Sequence, residues 1–305
     1  MAPAERPTAA REDGSMDDRR LDPASDFAEA GRGRHLPPDL LDHLEQVVPF
    51  IRGSRLGLIV DFDGTISELA PTPGQASPTA GCLEALGCLS GLLALTSVAS
   101  GRAARDLQEK VGLEGLVYAG NHGAEYLIDG KIEMETGTEP YRSLLGLVVD
   151  HLKKAVDGTG LVWEHKGLSV SVHYRLSPDT TRARRDLESA LETAPNVRDL
   201  EIFWGKQVLE IRAPLGFDKG FAVRKLVQEY GLDAVVFVGD DTTDVDGLVA
   251  VKELVSEGKA SGLGVAVIDV DTPGPVLAAA DFSVAGVSGV EEFLRWLCCE
   301  VRKRS

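Results

Sequence analysis

Two aspartates follow one apolar segment of the chain, in the sequence GLIVDFDGT. The apolar residues 58–60 are typical of a strand at the centre of a parallel sheet, where both faces are covered. Asp61 and Asp63 come directly after this strand, one residue apart. Two carboxylates that point the same way repel each other unless a cation lies between them. The spacing therefore predicts a cation site, although a capped turn is the simpler structural alternative.

Other polar residues follow other apolar segments. Ser100 ends LLALTSVAS, three aspartates (Asp240, Asp241 and Asp244) follow AVVFVG, and Lys219 lies in GFDKG. Ligands of open α/β sheets bind at the carboxyl ends of the strands, so we expect these side chains to share one crevice. Carboxylates with a hydroxyl and a lysine indicate Mg²⁺ together with a phosphate group, whose remaining charge the lysine balances.

Each of these residues also has a structural interpretation. Ser100 and Asp244 could cap the helices that follow them, and Lys219 could be a solvated surface lysine. The functional interpretation is favoured because the polar groups recur at the ends of several apolar segments.

The pattern of elements predicts an α/β fold with two parts. Apolar strands alternate with helical segments at both ends of the chain, which predicts a Rossmann-like core with a parallel sheet over residues 37–123 and 214–305. Between them, residues 124–213 show period-2 alternation around a helical stretch, which predicts an inserted α+β cap domain. Residues 1–36 have no apolar period and are predicted to be a disordered tail.

Composition limits the possible partners and location. The chain has 305 residues, with 48 Asp and Glu against 32 Lys and Arg, for a net charge of −16. This excess argues against binding to nucleic acid or anionic lipid. We see no apolar run long enough to cross a bilayer and no signal-peptide pattern, so we expect a cytoplasmic protein with no membrane association.

The four cysteines show no metal-ligand spacing and are interpreted as buried or incidental thiols. They are Cys82, Cys88, Cys298 and Cys299.

Four short motifs, in this order, resemble those of the haloacid dehalogenase-like phosphatases: DFDGT, the serine of ASGR, the lysine of DKG, and GDDTTD. Three further pieces are similar to the trehalose-6-phosphate phosphatase family, including its inserted cap: GNHGAE (120–125), EHKGLSVSVHYR (164–175) and GKQVLEIR (205–212). The resemblance implies a hydrolase core and Mg²⁺-dependent hydrolysis of trehalose 6-phosphate.

The chemistry of the side chains suggests a role for each core residue. Asp61 would attack phosphorus and form an aspartyl phosphate, while Asp63 would protonate the leaving oxygen and then activate water. Ser100 and Lys219 would clamp the phosphoryl group. Asp241 and Asp244 would hold metal-bound waters or orient Lys219. The expected metal-binding residues are Asp61, Asp63 (through its backbone carbonyl, as the resemblance implies), Asp240, Asp241 and Asp244.

A disaccharide presents many hydroxyls, so its site needs charged and amide groups. Glu164 and Lys166 share a strand face and, with Glu210, are the expected partners of the distal glucose, as the resemblance implies. The alternatives are an exposed cross-strand charge pair for Glu164 and Lys166 and a structural role for His122. His173 and Arg175 could be ordinary strand residues. The full expected set of substrate-binding residues is Arg102, Asn121, His122, Glu125, Glu164, Lys166, Arg175 and Glu210.

Other functions remain open at this point. The chain could be a related phosphatase for sucrose phosphate or glucosylglycerol phosphate, a phosphomutase, or a sensor that binds a sugar phosphate without turnover. For the favoured function, a trehalose-6-phosphate synthase would be a pathway neighbour. The sequence does not indicate an oligomeric state.

Overall fold

The computed structural model describes residues 36–52 and 54–303. The predicted tail lies outside the described residues, apart from Leu36. The helices are α1 Val48–Ile51, α2 Ala80–Ser90, α3 Ala104–Val111, α4 Glu139–Ala155, α5 Thr180–Glu192, α6 Lys219–Glu229, α7 Val245–Ser256, α8 Gly274–Ala279 and α9 Gly286–Arg302. The strands are β1 Leu56–Val60, β2 Leu95–Ala99, β3 Val117–Gly120, β4 Glu125–Ile128, β5 Lys131–Met134, β6 Val162–His165, β7 Ser169–His173, β8 Glu201–Gly205, β9 Val208–Arg212, β10 Ala234–Gly239, β11 Ser261–Ile268 and β12 Phe282–Ala285.

The large sheet has the strand order β12-β11-β10-β1-β2-β3-β4-β5. The strands from β12 to β3 are parallel, and β4 and β5 are antiparallel additions at one edge. The apolar segments predicted to be central strands are β1, β2 and β10, and every residue in them is buried. These findings confirm the predicted α/β class. Because β10, β1 and β2 are neighbours, the residues that follow them meet at one edge of the sheet.

Helices cover both faces of the large sheet. On one face α2 and α9 bury residues such as Leu86 and Phe293 against β1 and β10. On the other face α6 and α7 bury residues such as Ala222 and Leu248. No helix among the described residues has the length and apolar character needed to cross a membrane.

The small sheet is antiparallel, with the strand order β6-β7-β9-β8. Helices α4 and α5 pack on one of its faces, where Leu152 and Leu187 contact the alternate strand residues Val172 and Leu209. The intervening strand residues point to the other face, which carries polar side chains. The alternation in the sequence therefore predicts these four strands correctly.

One predicted boundary differs from the structure. The hairpin of β4 and β5 falls inside the segment 124–213 assigned to the inserted domain, but it pairs with β3 in the large sheet. Its side chains explain the difference, since Tyr126 and Leu127 are buried with the residues of the large sheet. The rest of the domain division stays a prediction.

The interpretation of all four cysteines as thiols is wrong for two of them. Cys88 in α2 and Cys298 in α9 form a disulfide, with their Cα atoms 6.2 Å apart. Cys82 is a buried thiol and Cys299 an exposed one. The pair is separated by 210 residues, so only the packing of α2 against α9 brings it together.

Candidate active site

Three carboxylates meet where β1 and β10 end. Asp61 is the first residue after β1, Asp240 is the first after β10, and Asp244 directly precedes α7. One oxygen atom from each of these aspartates lies within 4.8 Å of an oxygen of each of the others. The topology of the large sheet thus brings together three of the five aspartates expected to bind metal, and Asp63 and Asp241 are not in this group.

Lys219 lies inside this cluster. It is the first residue of α6, and its Nζ donates to Asp61 Oδ1 at 2.7 Å and to Asp244 Oδ1 at 2.6 Å. All three side chains are nearly inaccessible to solvent, at 2% for Lys219, 5% for Asp61 and 0% for Asp244. Lys219 is therefore a buried cation held between two carboxylates, and not the solvated surface residue of the structural alternative.

The loops after the strands pack against the same carboxylates. Gly64 has φ +80°, and a Cβ on this residue would lie 2.1 Å from Asp240 Oδ2. Thr65 Oγ1 donates to Asp240 Oδ1 at 3.1 Å. Asp244 Oδ2 accepts from the backbone N–H groups of Asp240 and Asp241, both at 3.1 Å. Only glycine fits the backbone turn beside Asp240.

Burial and mutual repulsion raise the pKa values of these aspartates. The pKa of Asp61 lies well above its usual value because burial disfavours the charged form, and Lys219 only partly offsets this. Burial and the neighbouring charges of Asp244 and Asp241 raise the pKa of Asp240 to about 7. For Lys219, burial lowers the pKa, but Asp244 and Asp61 outweigh it, so the pKa is raised and the side chain stays cationic. Carboxylates that are buried together and repel one another fit a hard divalent cation such as Mg²⁺.

Asp63 and Arg102 form an ion pair in the same site. Arg102 Nε donates to Asp63 Oδ2 and Nη2 to Asp63 Oδ1, both at 2.7 Å. Ser100, the residue after β2, accepts from Arg102 N at 3.3 Å through its Oγ. The predicted cluster of Asp61, Asp63, Ser100 and Lys219 is thus assembled at the ends of β1, β2 and the start of α6.

His122 forms part of the wall of the site. It has φ 57°, and its backbone N–H donates to the carbonyl of Ser100. Burial, together with the positive charges of Lys219 and Arg212, lowers its pKa to about 4. The imidazole is therefore neutral near pH 7 and can both donate and accept a hydrogen bond.

A cavity of about 370 Å³ lies between this edge of the large sheet and the open face of the small sheet. Its volume falls in the range of small-molecule sites. An adjoining cavity of about 350 Å³ is lined by Asp240 and Asp241. The groups that could recognise a phosphate and those that could recognise hydroxyls thus share one space.

The open face of the small sheet supplies charged groups to this cavity. Ser171 pairs with Glu164 on one side and with Glu210 on the other, which places both glutamates in one row across the sheet. Glu164 Oε2 lies 3.5 Å from Lys166 Nζ and 3.3 Å from His173 Nε2. Glu210 forms an ion pair with Arg212 at 2.8 Å. Each acidic group therefore has a basic partner with which it could bind a polyhydroxylated ligand.

Most predicted site residues line the main cavity, but five do not. Asp240 lines the adjoining cavity and Asp244 is buried, while the other three lie elsewhere. Those that line the main cavity are Asp61, Asp63, Ser100, Arg102, His122, Glu164, Lys166, Glu210, Lys219 and Asp241. Asn121 lines a separate cavity of about 160 Å³. Glu125 is buried and accepts from Ala104 N at 2.7 Å, so it caps α3. Arg175 is exposed beyond the end of β7.

Several residues that line the main cavity were not among the predicted site residues. His173 and Arg212 were identifiable, because they lie on the same strand faces as Glu164 and Glu210. Thr243 donates from both N and Oγ1 to Asp241 Oδ1, each at 2.7 Å. Leu69 and Pro73 come from the long loop after β1, for which the sequence offers no local signal.

The fold is similar to that of a haloacid dehalogenase-like hydrolase from Bacteroides thetaiotaomicron, with a TM-score of 0.55 and 17% identity over 80% of this chain and 99% of that chain. The family model described as trehalose-phosphatase matches residues 59–288. The chain belongs to the trehalose-phosphatase family.

Two relatives show how much of the chain is similar to known proteins. The trehalose-phosphate phosphatase of Mycobacterium avium is 32% identical over 224 residues, which is 70% of this chain and 56% of that protein. A protein of Mycobacterium tuberculosis described as an uncharacterized glycosyl hydrolase is 30% identical over 87% of this chain and 20% of its own length. The chain thus spans about half, or a fifth, of the length of these relatives.

A solved structure shows the same fold. The C-terminal domain of C. albicans trehalose-6-phosphate phosphatase has a TM-score of 0.65 and 22% identity, and the match covers 88% of this chain and 99% of that chain.

Proposed function

We propose that this protein is a Mg²⁺-dependent phosphatase that hydrolyses trehalose 6-phosphate to trehalose and phosphate through an aspartyl phosphate. The observation that carries the proposal is the cluster of buried Asp61 and Asp244 with half-buried Asp240 around Lys219, which opens into a cavity walled by charged side chains. Such a cluster suits phosphoryl transfer, which depends on positioning and on neutralisation of charge.

In the first half-reaction Asp61 is the nucleophile. A carboxylate oxygen of Asp61 forms a bond to phosphorus, and the bond from phosphorus to the sugar oxygen breaks. Asp63 gives a proton to the departing oxygen. Lys219 and Ser100 hold the oxygens of the transferring group.

In the second half-reaction water replaces the sugar. Asp63 takes a proton from the water, whose oxygen bonds to phosphorus while the bond from phosphorus to Asp61 breaks. Inorganic phosphate and the original Asp61 carboxylate are the products. One residue thus moves the proton in both directions.

Asp61 and Asp240 would hold Mg²⁺, together with the backbone carbonyl of Asp63. The ion would supply positive charge to the phosphoryl oxygens and to the nucleophile. Asp244, which accepts from Lys219 and from two backbone N–H groups, would fix the loop after β10.

The small sheet and its helices would act as a cap that selects the sugar. Glu164, Lys166 and Glu210 would bind hydroxyls of the distal glucose, because a disaccharide needs charged hydrogen-bonding partners more than apolar walls. The names of the M. avium and C. albicans proteins support trehalose 6-phosphate as the substrate. A trehalose-6-phosphate synthase would then supply that substrate; this neighbour and the cytoplasmic location stay predictions.

The proposal is tested by phosphate release from trehalose 6-phosphate, sucrose 6-phosphate and glucose 6-phosphate, each with Mg²⁺ and with EDTA. Wild type is compared with Asp61→Asn and with the control Asp246→Asn, an exposed aspartate outside the cavity lining. We expect release from trehalose 6-phosphate alone, which requires Mg²⁺, is lost in Asp61→Asn and is kept in Asp246→Asn.

Each of the other possible outcomes would support a different function. Equal release from all three esters would keep the phosphatase and reject the selective cap. Binding of trehalose 6-phosphate without release would indicate a sensor, and transfer of the phosphoryl group back to sugar would indicate a mutase.

A further inference from the structure

Arg102 engages both oxygens of the Asp63 carboxylate. Its Nε and Nη2 form two separate hydrogen bonds of 2.7 Å, to Oδ2 and Oδ1 respectively. Such paired bonds fix the orientation of a carboxylate as well as its distance, which a single ammonium group does not. Asp63 therefore has one defined position in this structure.

Arg102 is itself held on several sides. Its Nη1 donates to Asp106 Oδ2 at 3.1 Å, across one turn of chain at the start of α3. The guanidinium carbon lies 5.0 Å from the centre of the Phe62 ring. The residue is 8% exposed. These contacts leave the guanidinium little freedom, so the position of Asp63 is set by the start of α3.

We propose that Arg102, oriented by Asp106, is a positioning residue that holds Asp63 where it transfers protons in the proposed phosphatase reaction. This inference rests on the proposed function, in which Asp63 acts in both half-reactions. It differs from the substrate-binding role that the sequence suggests for Arg102, because the observed contacts of the guanidinium are to Asp63 and Asp106. An error of about 1 Å in such a group lowers a rate on the order of 10²-fold.

A comparison of two leaving groups distinguishes a positioning role of Arg102 from a role in substrate binding. The sugar oxygen of trehalose 6-phosphate leaves as a poor alkoxide and needs the proton, whereas p-nitrophenolate leaves without one. The quantity to compare is kcat/KM, which reports the steps up to release of the leaving group.

The test measures kcat/KM of Arg102→Lys on trehalose 6-phosphate and on p-nitrophenyl phosphate. We expect a loss of about 10²-fold on the sugar ester, in line with the positioning effect, and of less than about 10-fold on the aryl ester. We expect Asp106→Asn to show the same pattern with a smaller loss. Arg105→Lys, an exposed neighbour on α3, is the control and should match wild type. Inhibition by inorganic phosphate should be unchanged in all variants.

A double-mutant cycle adds an independent readout. If Arg102 acts through Asp63, Arg102→Lys should change kcat/KM on the sugar ester by less than about twofold in an Asp63→Asn background. Equal losses on both esters, additive losses in the cycle, or weaker inhibition by phosphate would each overturn the inference and assign Arg102 to the phosphoryl group.

Failure of the proposed function would give a different result from failure of the Arg102 inference. It would appear in wild type as absence of release from trehalose 6-phosphate, whereas failure of the Arg102 inference appears only in the ratio of the losses. If wild type prefers another sugar phosphate, the same comparison is made with that ester.

Discussion

Lys219 is the cation that contacts two of the three carboxylates in this site. Its ammonium group is buried between Asp61 and Asp244, and it partly offsets the burial and the mutual repulsion that raise the pKa of Asp61. The motif DKG predicts a lysine near phosphate. Asp244, 25 residues away, was expected either to hold metal-bound waters or to orient Lys219, and the packing of α6 against the loop after β10 brings it to the ammonium group.

His122 makes the stability of the protein depend on pH. Its pKa of about 4 is below the usual 6.5, so between these values the unfolded chain binds a proton that the folded chain does not. Stability is therefore unaffected by this group above pH 6.5 and is lost as the pH falls toward 4, by up to about 3 kcal/mol.

Urea unfolding of wild type and His122→Gln at several pH values checks this prediction. We expect wild type to lose more free energy of unfolding than the variant between pH 6.5 and 4. Parallel curves for the two proteins would show that His122 is not the group responsible.

Among the secondary-structure elements, the strand ends and the turns that follow them determine the geometry of the site. The apolar runs predict β1, β2 and β10 well, because buried parallel strands need no polar residues. The sequence does not predict that β4 and β5 join the large sheet, since a short hairpin can pair with the edge of either sheet. The choice depends on the residues that bury Tyr126 and Leu127 on the two sides of β4. The same limit applies to Glu125, which lies in a recognised motif yet caps α3.

Gly64 is the turn residue that lies closest to the proposed metal-binding aspartates. A Cβ there would collide with the Asp240 carboxylate, so Gly64→Ala should displace Asp240 and lower phosphatase activity by about 10²-fold. Gly112→Ala is the matched control, because Gly112 also has a positive φ, +67°, but no atoms near the added Cβ.

The measurement is kcat/KM as a function of Mg²⁺ concentration. We expect Gly64→Ala to need more Mg²⁺ as well as to be slower, and Gly112→Ala to match wild type in both. Equal effects of the two substitutions would mean that backbone strain alone, and not the contact with Asp240, explains the loss.

In the molecule as a whole, a disulfide between α2 and α9 joins two distant parts of the chain. The sequence predicts both helices, but two cysteines separated by 210 residues cannot be paired without knowledge of their packing. The long loop after β1 is a similar case, because its place beside the cavity follows from the assembled fold and not from local pattern.

The disulfide should stabilise the whole fold without affecting catalysis. Closing a long loop restricts the unfolded chain, so Cys88→Ser should lower the free energy of unfolding by about 2–4 kcal/mol. Neither cysteine lines the main cavity, so kcat/KM should stay unchanged. Cys299→Ser, which changes the exposed free neighbour, is the control.

Denaturant unfolding with and without a thiol reductant measures this effect. Wild type should shift toward Cys88→Ser when reduced, and Cys88→Ser itself should not respond. An unfolding curve of wild type that is insensitive to the reductant would contradict the stabilising role.

In the proposed reaction Asp61 carries the phosphoryl group between the two half-reactions. The most direct measurement is rapid acid quenching of the enzyme during turnover of trehalose 6-phosphate with Mg²⁺, followed by mass mapping of the phosphorylated peptide. We expect one phosphoryl group on Asp61 in wild type and none in Asp61→Asn. Phosphate release with no phosphorylated protein at any quench time, or a phosphoryl group on another residue, would contradict it.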